Sequence, residues 1–576
     1  MQSQHVYRSS LPPFFVWGVI LLCLSYFGIE LFFNAYTSIT LDEFWFAEHA
    51  YQFKNHLPYR DFAPYKTILG YYLLLIPLPA TSPDILKPLI DIKNFIALLN
   101  TLCMGIAAFG LRKFFKPAAI LFAMSIILFA EFFITYSTNI RVDIFAYWLC
   151  LFAVLLIFEE RWMLAGILLA LAFLTSQKAL WYIFATNCSL GMYWLITSRQ
   201  YHLIKKIILL NIALILVVIS YLIFWSLMAD PKTVTNSVFG EAYIMATLDW
   251  YSHLRLFFWS IIVTNNPFPF LFWPFTLVSL FIFPANDSEY SKRIFIVTYA
   301  FVIMLSILFY KQVFPYYMIA TLPAFFLLYA ALASWLIALL KEKTADLQLI
   351  IFAMLLLGVL YPLVHVALIL PAKNGAYQEA TIALTNHLLA EGGDYVAGIP
   401  LIYNKQQPIP GMKQLMMPAI DYLYHPTEKL RQIMLPSLSE TPDTTQEKII
   451  DALQKSTVKI IVNNYRIHLL PPKIKNYLAS QYAHLWGSVY LYAPEILPNS
   501  KSIALKFSGK YRVESNFNYF IRIDGKKISP NAIVVLSAGI HNSKANSAYR
   551  LKLMPDKIKH FLNPLYQNDQ WEMMSN

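Results

Sequence analysis

The chain has 576 residues, of which 58% are hydrophobic and only 14% are charged, and its mean hydropathy is +0.51. A soluble globular domain carries about 25% charged residues, so the composition excludes a large soluble enzyme and predicts a membrane protein. The net charge of +12 does not indicate a nucleic-acid partner, because Lys and Arg are spread between the apolar runs and along the C-terminal third. Membrane topology and lipid headgroups explain that distribution better.

About eleven apolar runs are long enough, or nearly long enough, to cross a bilayer, which takes about 20 apolar residues. The predicted spans are 14–36, 89–111, 117–138, 142–158, 162–177, 179–197, 204–228, 267–285, 294–310, 313–340 and 347–370. Gln177-Lys178 separates the fifth span from the sixth. Residues 67–79 are too short for a span, so we expect a re-entrant or interfacial segment there.

Features of the first span and of the cysteines complete this interpretation. No small-residue cleavage site follows the first span, so we expect it to remain as an anchor. The cysteines all lie inside apolar runs, which predicts buried thiols and no disulfide framework. They are Cys23, Cys103, Cys150 and Cys188.

The basic residues between the spans predict the orientation. With the N-terminus in the cytoplasm, every inner loop carries Lys or Arg, as the positive-inside rule requires. The inner residues are Arg8, Arg112, Lys113, Lys116, Arg161, Arg199, Lys205, Lys206, Lys292, Arg293, Lys341 and Lys343. Loop 37–88, loop 229–266 and everything after about residue 371 then lie outside. We therefore expect a multi-pass membrane protein whose N-terminus is cytoplasmic and whose C-terminal region lies on the outer side.

The composition changes after Pro371, where the long apolar runs stop. TQEKIIDALQKS precedes VKIIVNN and PPKIKNYLASQ precedes WGSVYLYA, which predicts a small α/β domain over 371–498. From Ser502 every pattern is strand-like, and Asp524-Gly525 is a hairpin signal, so we expect a small β-sandwich with a polar tail over 499–576. The predicted fold class is an α-helical polytopic membrane domain, 1–370, followed by these two domains.

Several ionisable residues fall at the outer ends of the predicted spans. Charges inside a membrane are costly, so a functional role is their default interpretation. Together with Asp42 and Glu43 they form a ring of charge on the face that carries the long loops: Glu30, Glu131, Arg141, Asp143, Lys178 and Lys311. The alternative is that these side chains reach the headgroups from interfacial helix ends and serve only as anchors.

The densest polar stretch is 41–70, directly after the first span. Asp42 and Glu43 begin it, and we expect the helix that ends before them to hold such a carboxylate rigidly, so that it acts as a general base on a hydroxyl or amine. An Asp-Glu pair is also typical of a solvated helix N-terminus. Arg60 and Lys66 follow in the same loop, and both side-chain types suit a phosphate.

Loop 229–266 is long and rich in aromatic residues, and it carries Glu241, Asp249, Trp250, His253 and Arg255. Such a loop could close over a membrane cavity as a lid. The other interpretation is an interfacial belt with Trp and Tyr at headgroup level.

The order of the motifs resembles that of the polytopic GT-C glycosyltransferases, and in particular the bacterial branch with the protein O-mannosyltransferases and lipid A aminoarabinose transferases. The residues that carry the resemblance are LDE, EHAYQF and PYRDF in the first outer loop, NIRVDIF at 139–145, FLTSQKALW at 173–181 and PYYMIATLPAFFLL at 315–328. The chain departs from the pattern at Lys66-Thr67-Ile68, where the family favours Lys-Pro-Pro, and at His56-Leu57-Pro58, where a glycine is usual. The resemblance covers about 1–370.

The resemblance implies a polyprenyl-phosphate sugar donor and transfer on the periplasmic side to a lipid, glycan or protein acceptor. By carry-over, Asp42 would be the catalytic base with Glu43 beside it, and Asp143 would orient the acceptor or a metal. Lys66, Arg60 and Lys311 would hold the lipid-linked phosphate. The other substrate-binding candidates are Asp61, Arg141, Lys178, Glu241, Tyr316 and Tyr317.

The chemistry of such a transfer is coherent with these residue types. A sugar phosphodiester needs a base on the acceptor and positive charge on the departing phosphate, and a single base without a nucleophile implies inversion at the anomeric carbon. Asp42 and Asp143 could bridge Mg²⁺ or Mn²⁺. The sequence has no HEXXH-like or CxxC-like ligand spacing, so metal dependence is left open.

Two other classes of function compete with the transferase. A transporter or flippase of lipid-linked sugars would place its charges near the bilayer midplane and often contains an internal repeat, whereas here the charges gather at one face and no repeat is visible. A non-catalytic envelope scaffold that binds glycan would explain the β-rich end of the chain. It gives no reason for the ring of charge.

Overall fold

The computed structural model describes most of the chain, in two compact units. The described residues are 12–64, 67–78, 86–196, 201–240, 243, 255–265, 287–309, 314–340, 345–369, 375–402, 407–409, 411–412, 415, 417–427, 445–515 and 520–570. The first, here called the helical unit, comprises Met1–Ala35, His49–Ser82 and Lys87–Ala372. The second, the C-terminal unit, comprises Tyr36–Glu48, Pro83–Leu86 and Lys373–Asn576.

The helical unit is built from apolar helices. The described helices are Pro13–Tyr36, Leu69–Leu75, Leu86–Leu111, Pro117–Leu128, Glu131–Tyr136, Asp143–Phe158, Trp162–Thr175, Ala179–Ile196, Tyr201–Ser226, Pro231–Thr235, Arg255–Asn265, Asp287–Phe309, Leu322–Leu340 and Ala345–Ile369. A π-helical turn, Asn236–Gly240, and a 3₁₀ segment, Pro315–Thr321, complete it.

Within the described ranges, four helical segments are long and apolar enough to cross a membrane. They are Pro13–Tyr36, Leu86–Leu111, Tyr201–Ser226 and Pro315–Ala338, and three shorter apolar helices accompany them. The predicted polytopic helical class is confirmed. The number of spans stays a prediction, and the predicted span 267–285 lies outside the described residues.

Two breaks between helices place candidate residues at helix ends. The separation at Gln177-Lys178 is present, because Ser176 is extended (φ −152°, ψ 128°) between the helices Trp162–Thr175 and Ala179–Ile196. The predicted span 117–138 is not one helix, because Ala130 is extended and a second helix starts at Glu131. That start places the Glu131 carboxylate in a helix N-terminal turn, where the helix dipole favours a negative charge.

A buried polar network holds the segment that precedes Asp143. The Tyr26 hydroxyl lies 2.7 Å from Ser137 Oγ, and Asn100 Nδ2 donates to the Ser137 carbonyl at 2.9 Å. Thr138 Oγ1 lies 3.1 Å from Glu30 Oε2 and 3.0 Å from Asn34 Oδ1. Buried polar groups in an apolar bundle must pair with one another. Glu30 therefore has a structural environment inside the bundle.

The C-terminal unit contains a mixed sheet with strand order β1-β2-β4-β3. β1 (Asp394–Val396) runs parallel to β2 (Val458–Val462), while β4 (Val489–Tyr492) is antiparallel to both β2 and β3 (Tyr482–Trp486). The helices Gln446–Lys455 and Pro472–Gln481 precede β2 and β3, as the sequence predicts. The other described helices of this region are Gly375–Ala390, Met417–Tyr424 and Tyr465–His468.

The end of the chain forms two four-stranded sheets, with orders β10-β7-β12-β5 and β6-β11-β8-β9. The strands are β5 (Glu495–Ile496), β6 (Ser502–Leu505), β7 (Gly509–Glu514), β8 (Ile521–Ile523), β9 (Lys526–Ile528), β10 (Ile533–Leu536), β11 (Gly539–Lys544) and β12 (Tyr549–Met554). Buried residues alternate with exposed ones along β11, as one-sided burial requires. The Asp524-Gly525 turn has φ values of 49° and 77°, the positive values that a tight hairpin needs.

The start of loop 37–88 is part of the C-terminal unit, which includes Tyr36–Glu48. The Gln378 side-chain amide makes two hydrogen bonds of 2.8 Å to the backbone N–H and C=O of Ile39. Gly375 lets the two segments approach, since a Cβ there would lie 3.1 Å from the Tyr36 carbonyl oxygen. The helix Leu41–Gln52 begins directly after this attachment.

Candidate active site

The first cluster of candidate residues lies in the helical unit around Asp143. This carboxylate is buried in the first turn of the helix Asp143–Phe158. Its Oδ1 accepts a hydrogen bond of 2.6 Å from Ser176 Oγ, and its Oδ2 pairs with Lys178 Nζ at 2.6 Å. The break between two helices at 176–178 is what brings both donors to one carboxylate. The structure thus joins Asp143 and Lys178, two sequence candidates 35 residues apart.

Aromatic rings cover the cations of the same cluster. The Arg141 guanidinium carbon lies 3.6 Å from the centre of the Tyr316 ring. Lys178 Nζ lies 4.5 Å from the Tyr317 ring centre and 5.5 Å from that of Tyr316. Both tyrosines come from the 3₁₀ segment Pro315–Thr321. We call Arg141, Asp143, Ser176, Lys178, Tyr316 and Tyr317 the Asp143 cluster. The cluster therefore holds two cationic side chains and one carboxylate.

Close packing aligns the neighbouring segments with the Asp143 cluster. A Cβ on Gly70 would lie 2.4 Å from Val142 Cβ, so only glycine allows the helix Leu69–Leu75 to pass here. Thr67 Oγ1 donates to the Phe173 carbonyl at 3.2 Å. Gln177 Nε2 donates to the carbonyls of Ser237 and Val238, each at 2.8 Å.

Similar contacts join loop 37–88 to loop 229–266 within the helical unit. Ser237 Oγ donates to the Pro64 carbonyl at 2.7 Å. Loop 229–266 is therefore tied at its start both to the 176–178 break and to the first loop. Three of the sequence candidates, Lys66, Glu241 and Lys311, lie outside the described residues.

The second cluster lies in the C-terminal unit around Asp42. Asp42 Oδ1 forms an ion pair with Nη2 of Arg466, which is 424 residues further along the chain. The Arg466 side chain is only 4% exposed, whereas 34% of the Asp42 side chain is exposed. From the sequence we expect the helix that ends before Asp42 to hold this carboxylate rigidly. The attachment of Ile39 to Gln378 places it in the C-terminal unit instead.

Glu43 has a different environment from Asp42. Its side chain is fully buried, and Oε2 accepts a hydrogen bond of 2.7 Å from the Thr40 backbone N–H. This is one half of a capping box, in which the residue three places after the N-cap satisfies the N-cap amide. The structure therefore gives Glu43 a role in starting the helix that carries Asp42.

Arg60 and Asp61 pair with each other. Arg60 Nε donates to Asp61 Oδ1 at 2.8 Å, and the Leu57 backbone N–H donates to Asp61 Oδ2 at 2.7 Å. The hydrogen bond from Arg60 and that from Leu57 lower the pKa of Asp61 to about 2. Both side chains are at the surface and take no part in the Asp143 cluster.

The candidate carboxylates do not fit a divalent metal. Both oxygens of Asp143 accept hydrogen bonds, one from the Lys178 ammonium, and Asp42 pairs with the Arg466 guanidinium. A cationic side chain in that position repels a metal ion. Among the described residues, no group of three or more His, Cys, Asp or Glu side chains could hold one.

Several residues of the two clusters were not predicted from the sequence. Ser176 was overlooked within FLTSQKALW, although its place beside Lys178 was a usable signal. Gln177 was used only to mark a helix break. Arg466 and its neighbour Asn464 lie in VNNYRIH after a buried strand, and no local pattern connects them with Asp42.

Comparison with known proteins identifies the fold. No protein-family model and no curated protein sequence matches the chain. Among solved structures, ArnT from Cupriavidus metallidurans bound to undecaprenyl phosphate is similar with a TM-score of 0.53 at 13% identity, over 83% of this chain and 97% of that one.

Two further solved structures are similar with lower scores. ArnT from the same organism in the apo state has a TM-score of 0.43 at 15% identity, over 68% of this chain and 66% of that one. The second is the archaeal oligosaccharyltransferase AglB from Archaeoglobus fulgidus, in complex with an inhibitory peptide and a dolichol-phosphate. It has a TM-score of 0.46 at 11% identity, over 91% of this chain and 75% of that one. With its apolar helices, its C-terminal β region and the match to ArnT, the chain has a GT-C-like fold.

Proposed function

We propose that the chain is an integral membrane glycosyltransferase that transfers a sugar from a polyprenyl-phosphate-linked donor to an envelope acceptor. The observation that carries the proposal is the Asp143 cluster, in which a buried carboxylate pairs with Lys178 and tyrosine rings of another segment stack on Lys178 and Arg141. The fold supports it, since a solved protein of similar fold binds undecaprenyl phosphate.

In this proposal the Asp143 cluster binds the phosphate of the donor. Arg141 and Lys178 supply positive charge to the phosphate as it leaves, and the tyrosine rings keep both cations desolvated. Asp143 holds the Lys178 ammonium in place through a hydrogen bond of 2.6 Å. Charge that is fixed before the reaction stabilises the developing phosphate charge without reorganisation.

Asp42 acts as the general base in this proposal. Its carboxylate takes the proton from the acceptor hydroxyl or amine as the acceptor atom bonds to the anomeric carbon. The bond between that carbon and the phosphate oxygen breaks, and its electron pair leaves with the polyprenyl phosphate. One displacement without a covalent intermediate inverts the anomeric centre. The exposed part of the Asp42 side chain supports this assignment over the fully buried Glu43.

We assign no step to a metal ion, because both candidate carboxylates are engaged by cationic side chains.

The acceptor is a lipid, glycan or protein of the envelope, and we propose the periplasmic face as the site of transfer. The basic inner loops support an N-terminus in the cytoplasm. With that topology, alkaline phosphatase fused to the C-terminus is active and a green fluorescent protein fused there is dark. The reverse pattern would contradict the topology.

The test of the proposed function is Asp42→Asn in the full-length protein. Proteoliposomes receive polyprenyl-phosphate sugars and an envelope extract from a strain that lacks the protein, and mass spectrometry follows the glycosylated product. We expect the rate of transfer to fall by about 10²–10⁴-fold, the usual contribution of a general base. Binding of undecaprenyl phosphate should not change.

The matched control is Asp451→Asn, an exposed aspartate of the C-terminal unit that pairs with Lys455. It should transfer at the rate of the unaltered protein. If Asp42→Asn also keeps that rate, Asp42 is not the base. If the unaltered protein yields no product with any polyprenyl-phosphate sugar, the proposed function is wrong.

A further inference from the structure

We propose that Arg466 is a positioning residue for Asp42, the proposed general base. This inference rests on the proposed function, because it gives Arg466 a role only through the base. The geometry that suggests it is an ion pair between a buried guanidinium and a partly exposed carboxylate.

The ion pair is an unusual way to gain stability. Arg466 is nearly fully buried, and its Nη1 has no hydrogen-bond partner among the residues that the structure describes. Taking a guanidinium out of water costs several kcal/mol, and a buried ion pair is often no more stable than apolar side chains of the same volume. An unsatisfied buried donor adds to that cost. A purely structural role therefore does not explain why an arginine occupies this position.

The backbone that carries Arg466 is fixed by a neighbouring asparagine. Asn464 is fully buried, and its Oδ1 accepts hydrogen bonds from the backbone N–H groups of Arg466 at 3.0 Å and Ile467 at 3.4 Å. Its Nδ2 donates to the Ala397 carbonyl at 2.7 Å. Arg466 is thus anchored just after the buried strand β2.

The guanidinium itself is also held in place. Arg466 Nε donates to the Tyr465 hydroxyl at 3.2 Å, while Nη2 contacts Asp42 Oδ1. Because the guanidinium is planar and rigid, fixing Nε also fixes the direction in which Nη2 points. The orientation of the carboxylate follows from that of the arginine.

The helix of Asp42 is anchored from the other side. The capping hydrogen bond between Thr40 and Glu43 fixes the helix start, and the two bonds from Gln378 to Ile39 fix the chain before it. Asp42 therefore lies between two fixed points, with one oxygen bound by Arg466. A base that is held in one orientation loses less entropy when it meets its substrate.

Arginine is suited to this role because it does not give up its proton. A guanidinium stays protonated at every physiological pH and has no acceptor nitrogen, so the proton taken from the acceptor remains on Asp42 during the transfer step. Arg466 fixes the direction of the Asp42 carboxylate.

The test compares Arg466→Met with Arg466→Lys in the full-length protein in proteoliposomes. Methionine fills a similar volume, and the Asp42 side chain that loses its partner is 34% exposed, so we expect the protein to fold. We expect kcat for transfer to fall by about 10–100-fold, as for the loss of a hydrogen bond to a charged group. Arg466→Lys should recover part of the loss. KM for the polyprenyl-phosphate sugar and binding of undecaprenyl phosphate should not change.

The matched control is Arg550→Met in the same unit. Arg550 donates to the carbonyls of Tyr482 and Ala479 and pairs with Glu495, so its loss tests an arginine that does not contact Asp42. It should leave kcat unchanged. In the Asp42→Asn background, Arg466→Met should lower kcat little further, because the effects of residues that act through one another are not additive.

The outcomes separate this inference from the proposed function. If Asp42→Asn transfers at the normal rate, the proposed function fails, whatever Arg466 does. If Asp42→Asn is inactive and Arg466→Met keeps the normal kcat, the positioning role is overturned. A loss of undecaprenyl phosphate binding in Arg466→Met would show a structural role instead. Should Arg466→Met fail to fold, a normal kcat in Arg466→Lys would overturn the role equally.

Discussion

The two candidate clusters use the same kind of ion pair in opposite ways. In the helical unit the Asp143 side chain is 6% exposed and its partner Lys178 is 14% exposed, so the carboxylate is the more buried member. In the C-terminal unit the order is reversed, with Arg466 at 4% and Asp42 at 34%. A buried, doubly hydrogen-bonded carboxylate suits the task of holding a cation. A carboxylate that remains partly exposed suits contact with a substrate.

This difference predicts unequal losses of stability when the cationic partner of each pair is removed. An ion left buried without its partner is destabilising by about 3–5 kcal/mol, whereas an ion left in water costs little. Lys178→Met should therefore lower the free energy of unfolding by about 3 kcal/mol or more, because Asp143 stays buried. Arg466→Met should cost much less. Thermal denaturation of the full-length protein in detergent would measure both.

A substitution that conserves the charge serves as the control for Lys178→Met. Lys178→Arg keeps the charge beside Asp143 and should retain most of the stability. In the C-terminal unit, Asp42→Asn should destabilise more than Arg466→Met, because it leaves the buried guanidinium without its counter-charge. Equal losses for Lys178→Met and Arg466→Met would mean that burial does not distinguish the two pairs.

A smaller effect is expected from the attachment of the first loop to the C-terminal unit. Gln378→Ala removes two hydrogen bonds from the buried backbone of Ile39, which costs about 1–3 kcal/mol. Hydrogen exchange should become faster over residues 37–43, while residues 139–143 keep their protection. Transfer should slow as Asp42 loses its support.

The matched variant is Gln446→Ala, which removes one side-chain hydrogen bond to the Leu423 carbonyl. Exchange over residues 37–43 should not respond to it. If Gln378→Ala also leaves that exchange unchanged, the glutamine does not hold the loop.

The smallest effect concerns a partly exposed ion pair in the two-sheet β region at the end of the chain. His541 Nδ1 lies 2.6 Å from Asp524 Oδ2, and His541 Nε2 lies 2.8 Å from the Ser537 carbonyl. The hydrogen bond with Asp524 raises the pKa of His541, and the same bond lowers the pKa of Asp524. Both ring nitrogens face acceptors, so the protonated imidazole satisfies both.

The directions of these two pKa shifts determine how the stability that the pair contributes changes with pH. A raised His pKa contributes stability below its unfolded value of about 6.5, and this contribution is lost as the pH rises through the folded pKa. A lowered Asp pKa contributes stability above about 3.9, lost as the pH falls through the folded pKa. The pair therefore stabilises β8 and β11 most between about pH 4 and 6.5.

Hydrogen exchange of the full-length protein, corrected for intrinsic rates, should show stronger protection of residues 539–544 at pH 5.5 than at pH 8. His541→Gln should remove that difference. A pH response that survives this substitution would mean that another group is responsible.

Local sequence patterns determined much of the architecture. Apolar runs predicted the polytopic helical unit, because the cost of burying charge in a membrane is visible residue by residue. The prolines that open PPKIKNYLASQ, the strand-like runs after Ser502 and Asp524-Gly525 predicted a helix, strands and a hairpin that the structure contains. Arg141, Asp143 and Lys178 were found for the same reason, since each is a charge at the end of an apolar run.

A local signal was also available for Glu43 and was not used. Thr40-Leu41-Asp42-Glu43 has the spacing of a capping box, and the structure forms the corresponding hydrogen bond. The predicted place of Glu43 beside the base stays a prediction, and the cap is a second role that the same spacing indicates.

The partner of Asp42 was decided by the tertiary structure alone. The chain has 45 Lys and Arg residues, and no periodicity or turn signal indicates which of them meets a given carboxylate. The pairing with Arg466 depends on the attachment of Ile39 to Gln378, on the cap at Asn464 and on the burial of β2. Hydropathy and turn propensity depend on neighbours in sequence, whereas an ion pair across 424 residues depends on where two surfaces meet in space.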